Sequence, residues 1–153
     1  MTNGNSVHLE FHSTYEMLDF VQVASDHLGR LAGLDDEALH WVGVAVRESV
    51  VNAIKHGNKG DEHKHVHVEF TPLDVGRPAG IVIRVRDEGL GFDPEMVADP
   101  LAPENLLRSS GRGIFLIRSF MDEMVLQRAP QGGMEVVMVK RVTASALGLQ
   151  NAE

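Results

Sequence analysis

One predicted helix carries a carboxylate, a carboxamide and an imidazole at Glu48, Asn52 and His56. These positions are four residues apart, so the three side chains stack along one face of the helix. Adjoining positions such as Val50 and Ile54 are apolar and indicate a buried face. A polar stripe beside a buried face is exposed either to water or to a ligand, and the remaining sequence distinguishes the two.

The composition is that of a single domain. The chain has 153 residues, of which 43% are hydrophobic, and we expect one domain over residues 1–153 with a core at about 6–142 and a loose tail at 143–153. It has no cysteine, which excludes disulfides and cysteine-based metal or redox chemistry. No signal-peptide pattern and no apolar stretch of ~20 residues is present, so we expect a cytoplasmic protein without a membrane anchor. A formal net charge of −8 argues against direct nucleic-acid binding, which depends on cationic groups.

Two long helices are predicted in the first third of the chain. Ser13 and Glu16 have the spacing of a capping box, which begins a first helix that Gly33 ends. Asp35 or Asp36 caps the second helix, which carries the polar stripe. That helix ends at residues 57–58, a glycine and an asparagine that both tolerate a positive φ.

Alternating apolar residues predict several strands. They lie at about 6–11, 66–70, 81–85, 124–127 and 134–142, with a third helix at about 113–120. Adjacent strands favour antiparallel pairing, and the order of elements is typical of an α+β or layered α/β fold. The segment 99–113 has little periodicity and is predicted to be a loop.

Asp87 precedes two closely spaced glycines, Gly89 and Gly91. Glycines allow the backbone to approach a flat ligand, and a carboxylate can accept a hydrogen bond from an exocyclic amine. The simpler interpretation of this spacing is an ordinary turn. On its own the segment therefore leaves both interpretations open.

A second glycine-rich segment opens the third helix. It consists of Ser110, Gly111, Arg112 and Gly113, whose amides and helix dipole favour a phosphate, with Arg112 adding charge. An ordinary loop before a helix is the alternative. Since the Asn52 carboxamide is an oxygen ligand suited to magnesium, the three segments together indicate a nucleotide site.

In combination, these segments resemble the GHKL ATPase superfamily. The chain contains Glu-x-x-x-Asn-Ala-x-x-His-Gly, then Asp-x-Gly-x-Gly, then Gly-x-Gly at the start of a helix. Within the superfamily, the small size, the segment 119–124 and the strand beginning at Gly132 resemble the anti-sigma-factor serine kinases. The resemblance extends from the first helix to about Val142. It implies an α/β (α+β) two-layer sandwich, with a mixed, mostly antiparallel sheet and helices on one face.

The resemblance also implies roles for individual residues. Asn52 would coordinate magnesium, Glu48 would position or deprotonate the nucleophile, and Asp87 would bind the adenine amine. The residues implied to bind ATP are Asn52, His56, Asp87, Gly89, Gly91, Ser110, Gly111, Arg112 and Gly113. Residues 99–112 would form a lid over the phosphates. Ser109 replaces the first of three glycines found in many relatives, and Arg112 stands where many have an apolar or small residue.

The function implied by the resemblance is a protein serine/threonine kinase that uses Mg-ATP to phosphorylate an anti-sigma-factor antagonist and sequesters a sigma factor. A homodimer is implied as well. One alternative is a histidine-kinase ATP-binding domain, although no upstream helix here carries a histidine followed by an acidic residue. The other is a regulator-binding module without phosphoryl transfer, which would not need the carboxylate of Glu48.

Three histidines, His63, His65 and His67, alternate along one predicted strand. Imidazole is a common zinc ligand, but alternate strand residues lie roughly 6.6 Å apart, so His63 and His67 could not easily share one ion. The sequence therefore favours a half-exposed polar face over a metal site.

Overall fold

The computed structural model describes residues 6–74, 78–91 and 117–142. The strands are β1 (Val7–His12), β2 (His65–Asp74), β3 (Pro78–Arg86), β4 (Glu123–Arg128) and β5 (Met134–Arg141). The helices are α1 (Leu18–Leu31) and α2 (Asp36–Asn52), with a 3-10 turn at Tyr15–Met17 and a π-helical turn at Ala53–Gly57. Residues 117–120 are also helical. Within these described ranges no helix is long and apolar enough to cross a membrane.

The five strands form one sheet in the order β1-β2-β3-β5-β4. Each pairing between neighbours is antiparallel, so the described sheet is fully antiparallel rather than mixed. The β4–β5 connection turns through Gly132 and Gly133, both with positive φ, a conformation that glycine adopts without a steric penalty. The α/β fold class expected from the sequence is confirmed.

Both long helices pack on the same face of the sheet. Strand residues of one parity point into that layer and are fully or almost fully buried, because successive side chains of a strand point to opposite faces. The core side chains contributed by the sheet include Phe11, Val66, Val68, Phe70, Ile81, Ile83, Val85 and Met138. From α2 and the π-helical turn they meet Leu39, Val42, Val46, Val50 and Ile54. These positions follow the helical period, and they include the two apolar positions, Val50 and Ile54, that indicated a buried face.

The start of the first helix differs from the prediction. The turn at Tyr15–Met17 follows Thr14, which makes no side-chain capping bond. The Ser13 hydroxyl is buried and accepts a hydrogen bond from Asn58 Nδ2 at 3.2 Å, so it does not cap a helix. The predicted capping box is wrong because a long-range partner has taken the hydroxyl. At α2 the predicted cap is confirmed, since Asp35 accepts a hydrogen bond from the amide of Ala38 at 2.9 Å.

Helix α2 ends in a wider turn than predicted. The amide of Asn58 donates to the carbonyl of Ala53, and the positive φ values fall on Lys59 (52°) and Gly60 (72°). Neither Gly57 nor Asn58 adopts the positive φ that these residue types tolerate, and Asn58 has φ −85°. The helical segment still ends at residues 57–58, as predicted, since the π-helical turn closes at Gly57 with Asn58 as its C-cap. The Asn58 side chain lies in the interior.

Candidate functional site

Glu48 and Asn52 lie one turn apart on α2, and both are half-buried. Within residues 6–74, 78–91 and 117–142, neither the Glu48 carboxylate nor the Asn52 carboxamide has a hydrogen-bond partner. Both polar groups are therefore open to water or to a ligand. His56 is exposed in the π-helical turn, which changes the angular spacing after Asn52, and its place in a site stays a prediction.

Asp87 follows the last residue of β3 and is buried, with 6% of its surface exposed. One carboxylate oxygen, Oδ1, accepts hydrogen bonds from the amide of Gly89 at 2.9 Å and the amide of Met134 at 3.1 Å. The Asp87 amide in turn donates to the carbonyl of Met134 at 3.0 Å. These three bonds fix the orientation of the carboxylate.

The other carboxylate oxygen of Asp87, Oδ2, accepts no hydrogen bond from the part of the chain that the structure describes. A buried carboxylate oxygen without a donor is energetically costly, so the position suits a ligand that brings an N–H group. Beside this oxygen lies Gly57, where an added Cβ would come within 2.0 Å of Oδ2. The absence of a side chain at Gly57 keeps the oxygen uncovered.

Two further glycines bring other backbone segments against Asp87. A Cβ at Gly89 would lie 2.1 Å from the carbonyl oxygen of Gly57, and one at Gly133 would lie 2.2 Å from the carbonyl oxygen of Asp87. Gly89 is therefore required for the contact between its loop and the turn that follows α2. Its predicted role in letting the backbone approach the nucleotide base is a separate one. The sequence does not indicate a role for Gly133 in the site, because nothing local shows that β5 begins beside Asp87.

Asn58 is a second residue whose role the sequence did not predict. Its side chain is fully buried, donates to Ser13 Oγ at 3.2 Å and to the carbonyl of His65 at 3.0 Å, and accepts from the amide of Glu88 at 2.8 Å. It therefore ties the end of α2 to β2 and to the segment that carries Asp87. The available signal, an asparagine after Gly57, was explained equally well by a helix end.

Glu88 points away from Asp87, toward the outer face of the sheet. Its carboxylate lies 2.9 Å from His67 Nε2 and accepts a hydrogen bond from the amide of His65 at 2.8 Å. The hydrogen bond from His67, followed by that from the His65 amide, holds the pKa of Glu88 below its ordinary value despite partial burial. The two adjacent carboxylates thus lie in different environments. Asp87 is buried, whereas Glu88 lies on the outer face of the sheet.

Replacing Gly133 with alanine is expected to destabilise the fold by about 2–4 kcal/mol, because the new Cβ meets the Asp87 carbonyl and the φ of 82° disfavours alanine. Gly132→Ala is the matched control, since its φ is 101° but no atom lies within 4 Å of the added Cβ. Urea unfolding of both variants separates the contact from the backbone strain. Equal losses of unfolding free energy would contradict the contact.

Part of the predicted site lies outside the described residues. This applies to Ser109, Ser110, Gly111, Arg112 and Gly113, and to the predicted lid at 99–112. Their predicted phosphate contacts stay predictions. Gly91 is described, with φ 73°, and a Cβ added there would lie 3.2 Å from the Gly133 carbonyl oxygen.

The residues present fit a purine nucleotide with a hydrated cation. Asp87 offers an uncovered, buried acceptor for an exocyclic amine, and Asn52 offers a carboxamide oxygen of the kind that magnesium prefers. Glu48 adds a carboxylate one helical turn away from Asn52.

Comparison with known proteins finds relatives that match most of the chain. A profile of the family described as "Histidine kinase-like ATPase domain" matches residues 12–140, which include Glu48, Asn52 and Asp87. "Serine-protein kinase RsbW" from Listeria monocytogenes is 27% identical over 147 residues, or 92% of this chain and 90% of that protein. "Anti-sigma F factor" from Oceanobacillus iheyensis is 34% identical over 146 residues, and its counterpart from Bacillus subtilis is 31% identical; each match covers 92% of this chain and 95% of the relative.

Proposed function

The chain belongs to the histidine kinase-like ATPase family, in its group of anti-sigma-factor serine kinases, and on this premise we propose that it phosphorylates a serine of an anti-sigma-factor antagonist with Mg-ATP. The observation that carries this proposal is the buried carboxylate of Asp87. Backbone amides fix one of its oxygens, and the other is left uncovered by the glycine at position 57.

We assign each described side chain one task. Asp87 accepts a hydrogen bond from the adenine amine through Oδ2. Because this oxygen has no donor in the described part of the chain, it favours a base that carries an N–H group at this position. Asn52 supplies an oxygen ligand for magnesium. Glu48 orients the serine hydroxyl of the antagonist and accepts its proton.

When bound, ATP supplies the phosphoryl group, and magnesium supplies the positive charge that neutralises the phosphate oxygens. The protein contributes mainly position and electrostatics, which is what phosphoryl transfer requires. Ser110, Gly111, Arg112 and Gly113 are proposed to contact the phosphates through their amides and the Arg112 guanidinium, with residues 99–112 as the lid.

Two relatives are named "Anti-sigma F factor", which indicates a sigma factor as a partner of those proteins. We propose that this chain also binds a sigma factor, as a homodimer in the cytoplasm. Binding without transfer would leave the Glu48 carboxylate without a task, so the kinase is the better-supported function.

The test is a transfer assay with the full chain, ATP labelled at the γ-phosphate, magnesium, and a panel of purified anti-sigma-factor antagonists. We expect a phosphoserine that survives acid treatment and disappears when the magnesium is chelated. An acid-labile phosphoprotein would indicate a histidine kinase instead. Calorimetry with Mg-ATP completes the test, because failure to bind ATP would leave only a regulator-binding module.

A further inference from the structure

A cluster of two histidines and two carboxylates lies on the outer face of the sheet, opposite the helices. We call His8, Glu10, His67 and Glu88 the outer cluster. His8 and Glu10 are alternate residues of β1, and Glu10 pairs directly with His67 of β2. Glu88 reaches the same place from the segment after β3. Three parts of the chain therefore converge on one imidazole.

The His67 ring lies at the centre of the outer cluster. The residue is 8% exposed, although it belongs to the face of the sheet that the helices leave open. Its Nε2 is 2.9 Å from Glu88 Oε2, while its Nδ1 is 3.3 Å from Glu10 Oε1 and 3.4 Å from His8 Nε2. Ligand atoms of Glu10, His67 and Glu88 all lie within 4.8 Å of one another.

The two ring nitrogens of His67 have different neighbours. Glu88 Oε2 lies 2.9 Å from Nε2, so the carboxylate accepts the Nε2–H of His67. In the neutral ring this leaves a lone pair on Nδ1, which faces the Glu10 carboxylate and the His8 imidazole. A lone pair in this position can bind a metal ion or accept a hydrogen bond from the His8 ring.

The spacing of these atoms also fits a metal ion. Zinc binds imidazole nitrogen and carboxylate oxygen at about 2.0–2.1 Å in tetrahedral geometry, which places neighbouring ligand atoms about 3.3 Å apart. The distances from His67 Nδ1, 3.3 Å to Glu10 and 3.4 Å to His8, have this value. A carboxylate that holds the other nitrogen of a ligating histidine, as Glu88 does, is the usual way in which proteins orient such a ring.

We propose that the outer cluster binds one zinc ion through Glu10 and His67, with His8 and water completing the coordination and Glu88 orienting the His67 ring. This grouping differs from the sequence expectation. His63 lies before β2 and takes no part, and the His65 ring lies against His12, with ring centroids 4.7 Å apart. The second strand needed for the site, β1, was not apparent from the alternation of histidines in β2.

The proposed zinc ion is independent of the nucleotide site. Magnesium prefers oxygen ligands, whereas two imidazoles favour zinc, so an excess of magnesium does not compete at the outer cluster. The ligands also differ from Glu48, Asn52 and Asp87, which allows zinc binding to be measured without ATP. A failure of one proposal therefore leaves the other standing.

The experiment titrates the nucleotide-free full chain with zinc in excess magnesium, using calorimetry or a competing chromogenic chelator. We expect one zinc ion per chain. Glu10→Gln and His67→Gln are expected to weaken binding by at least about tenfold, and Glu88→Gln by about tenfold through the orientation of His67. Cobalt bound in place of zinc should give the visible absorption of a four-coordinate ion, and that absorption should be lost in the Glu10 variant.

The matched control is His63→Gln, which removes an exposed imidazole close in sequence to His67 and should leave zinc affinity unchanged. Because Glu10 is half-exposed, Glu10→Gln tests the proposal even if the His67 variant fails to fold. Zinc binding that is equal in the wild type and the Glu10 variant would overturn the proposal. The absence of zinc binding to the wild type would overturn it as well.

Discussion

Replacing Glu48 with glutamine is expected to slow phosphoryl transfer by about 10²- to 10⁴-fold, the usual contribution of a positioned general base. Glutamine keeps the size of the side chain and removes its ability to accept a proton. Since Glu48 has no hydrogen-bond partner in the described part of the chain, the change should leave the fold intact. ATP affinity, measured by calorimetry, should stay close to that of the wild type.

Glu37→Gln is a suitable control, because Glu37 is an exposed carboxylate in the first turn of the same helix. Its transfer rate should equal that of the wild type. Asn52→Ala should behave differently again, by raising the magnesium concentration needed for half-maximal rate. A Glu48 variant that phosphorylates the antagonist at the normal rate would show that the carboxylate has another role.

Replacing Asp87 with asparagine is expected to lower ATP affinity by about 10²-fold. The change removes a hydrogen bond to a charged group and brings two donors, the asparagine NH₂ group and the adenine amine, against each other. The structure determines how the new amide must sit. The amides of Gly89 and Met134 both donate to Oδ1, so the amide oxygen has to take that position. The NH₂ group then replaces Oδ2 and points a donor at the adenine amine.

Inosine triphosphate gives the contrasting measurement, because it carries a carbonyl where ATP carries the amine. Asp87→Asn should bind it better than the wild type does, which would reverse the preference between the two nucleotides. Thermal unfolding should show little change, since both backbone amides keep their acceptor. Equal losses of affinity for both nucleotides would show that Asp87 supports the fold and does not recognise the base.

The parts of the fold that were predicted from the sequence depend on local periodicity. The buried positions of α2, from Leu39 to Ile54, and the alternation in β2 follow from a repeat within one element, so the pattern was sufficient. The Asp35 cap is equally local. Leu31 of α1 fits the helical period yet is 62% exposed, because the described sheet and α2 do not extend over it.

The contacts that the sequence did not predict join residues far apart in the chain. Ser13 matched a capping box, but Asn58 binds its hydroxyl across 45 residues. Gly133 lies against Asp87, 46 residues earlier in the chain, only because β5 begins there. Local patterns do not show which distant segment of backbone packs against a residue. The residues that support the site through such contacts, Asn58 and Gly133, were therefore not predicted.

The hydrogen bond from the Met134 amide to Asp87 affects when a newly synthesised chain can form the ATP site. The Asp87 carboxylate has both of its backbone donors only when β5 has paired with β3, because the Met134 amide lies 47 residues further along the chain. A nascent chain that has emerged only as far as α2 and β3 holds the acidic side chain without its second backbone donor. If ATP binds as proposed, it selects the finished sheet, and at about 100 times its Kd it would add about 2.7 kcal/mol to the free energy of unfolding. The cellular nucleotide pool would then protect completed molecules from proteolysis and leave partly folded ones exposed.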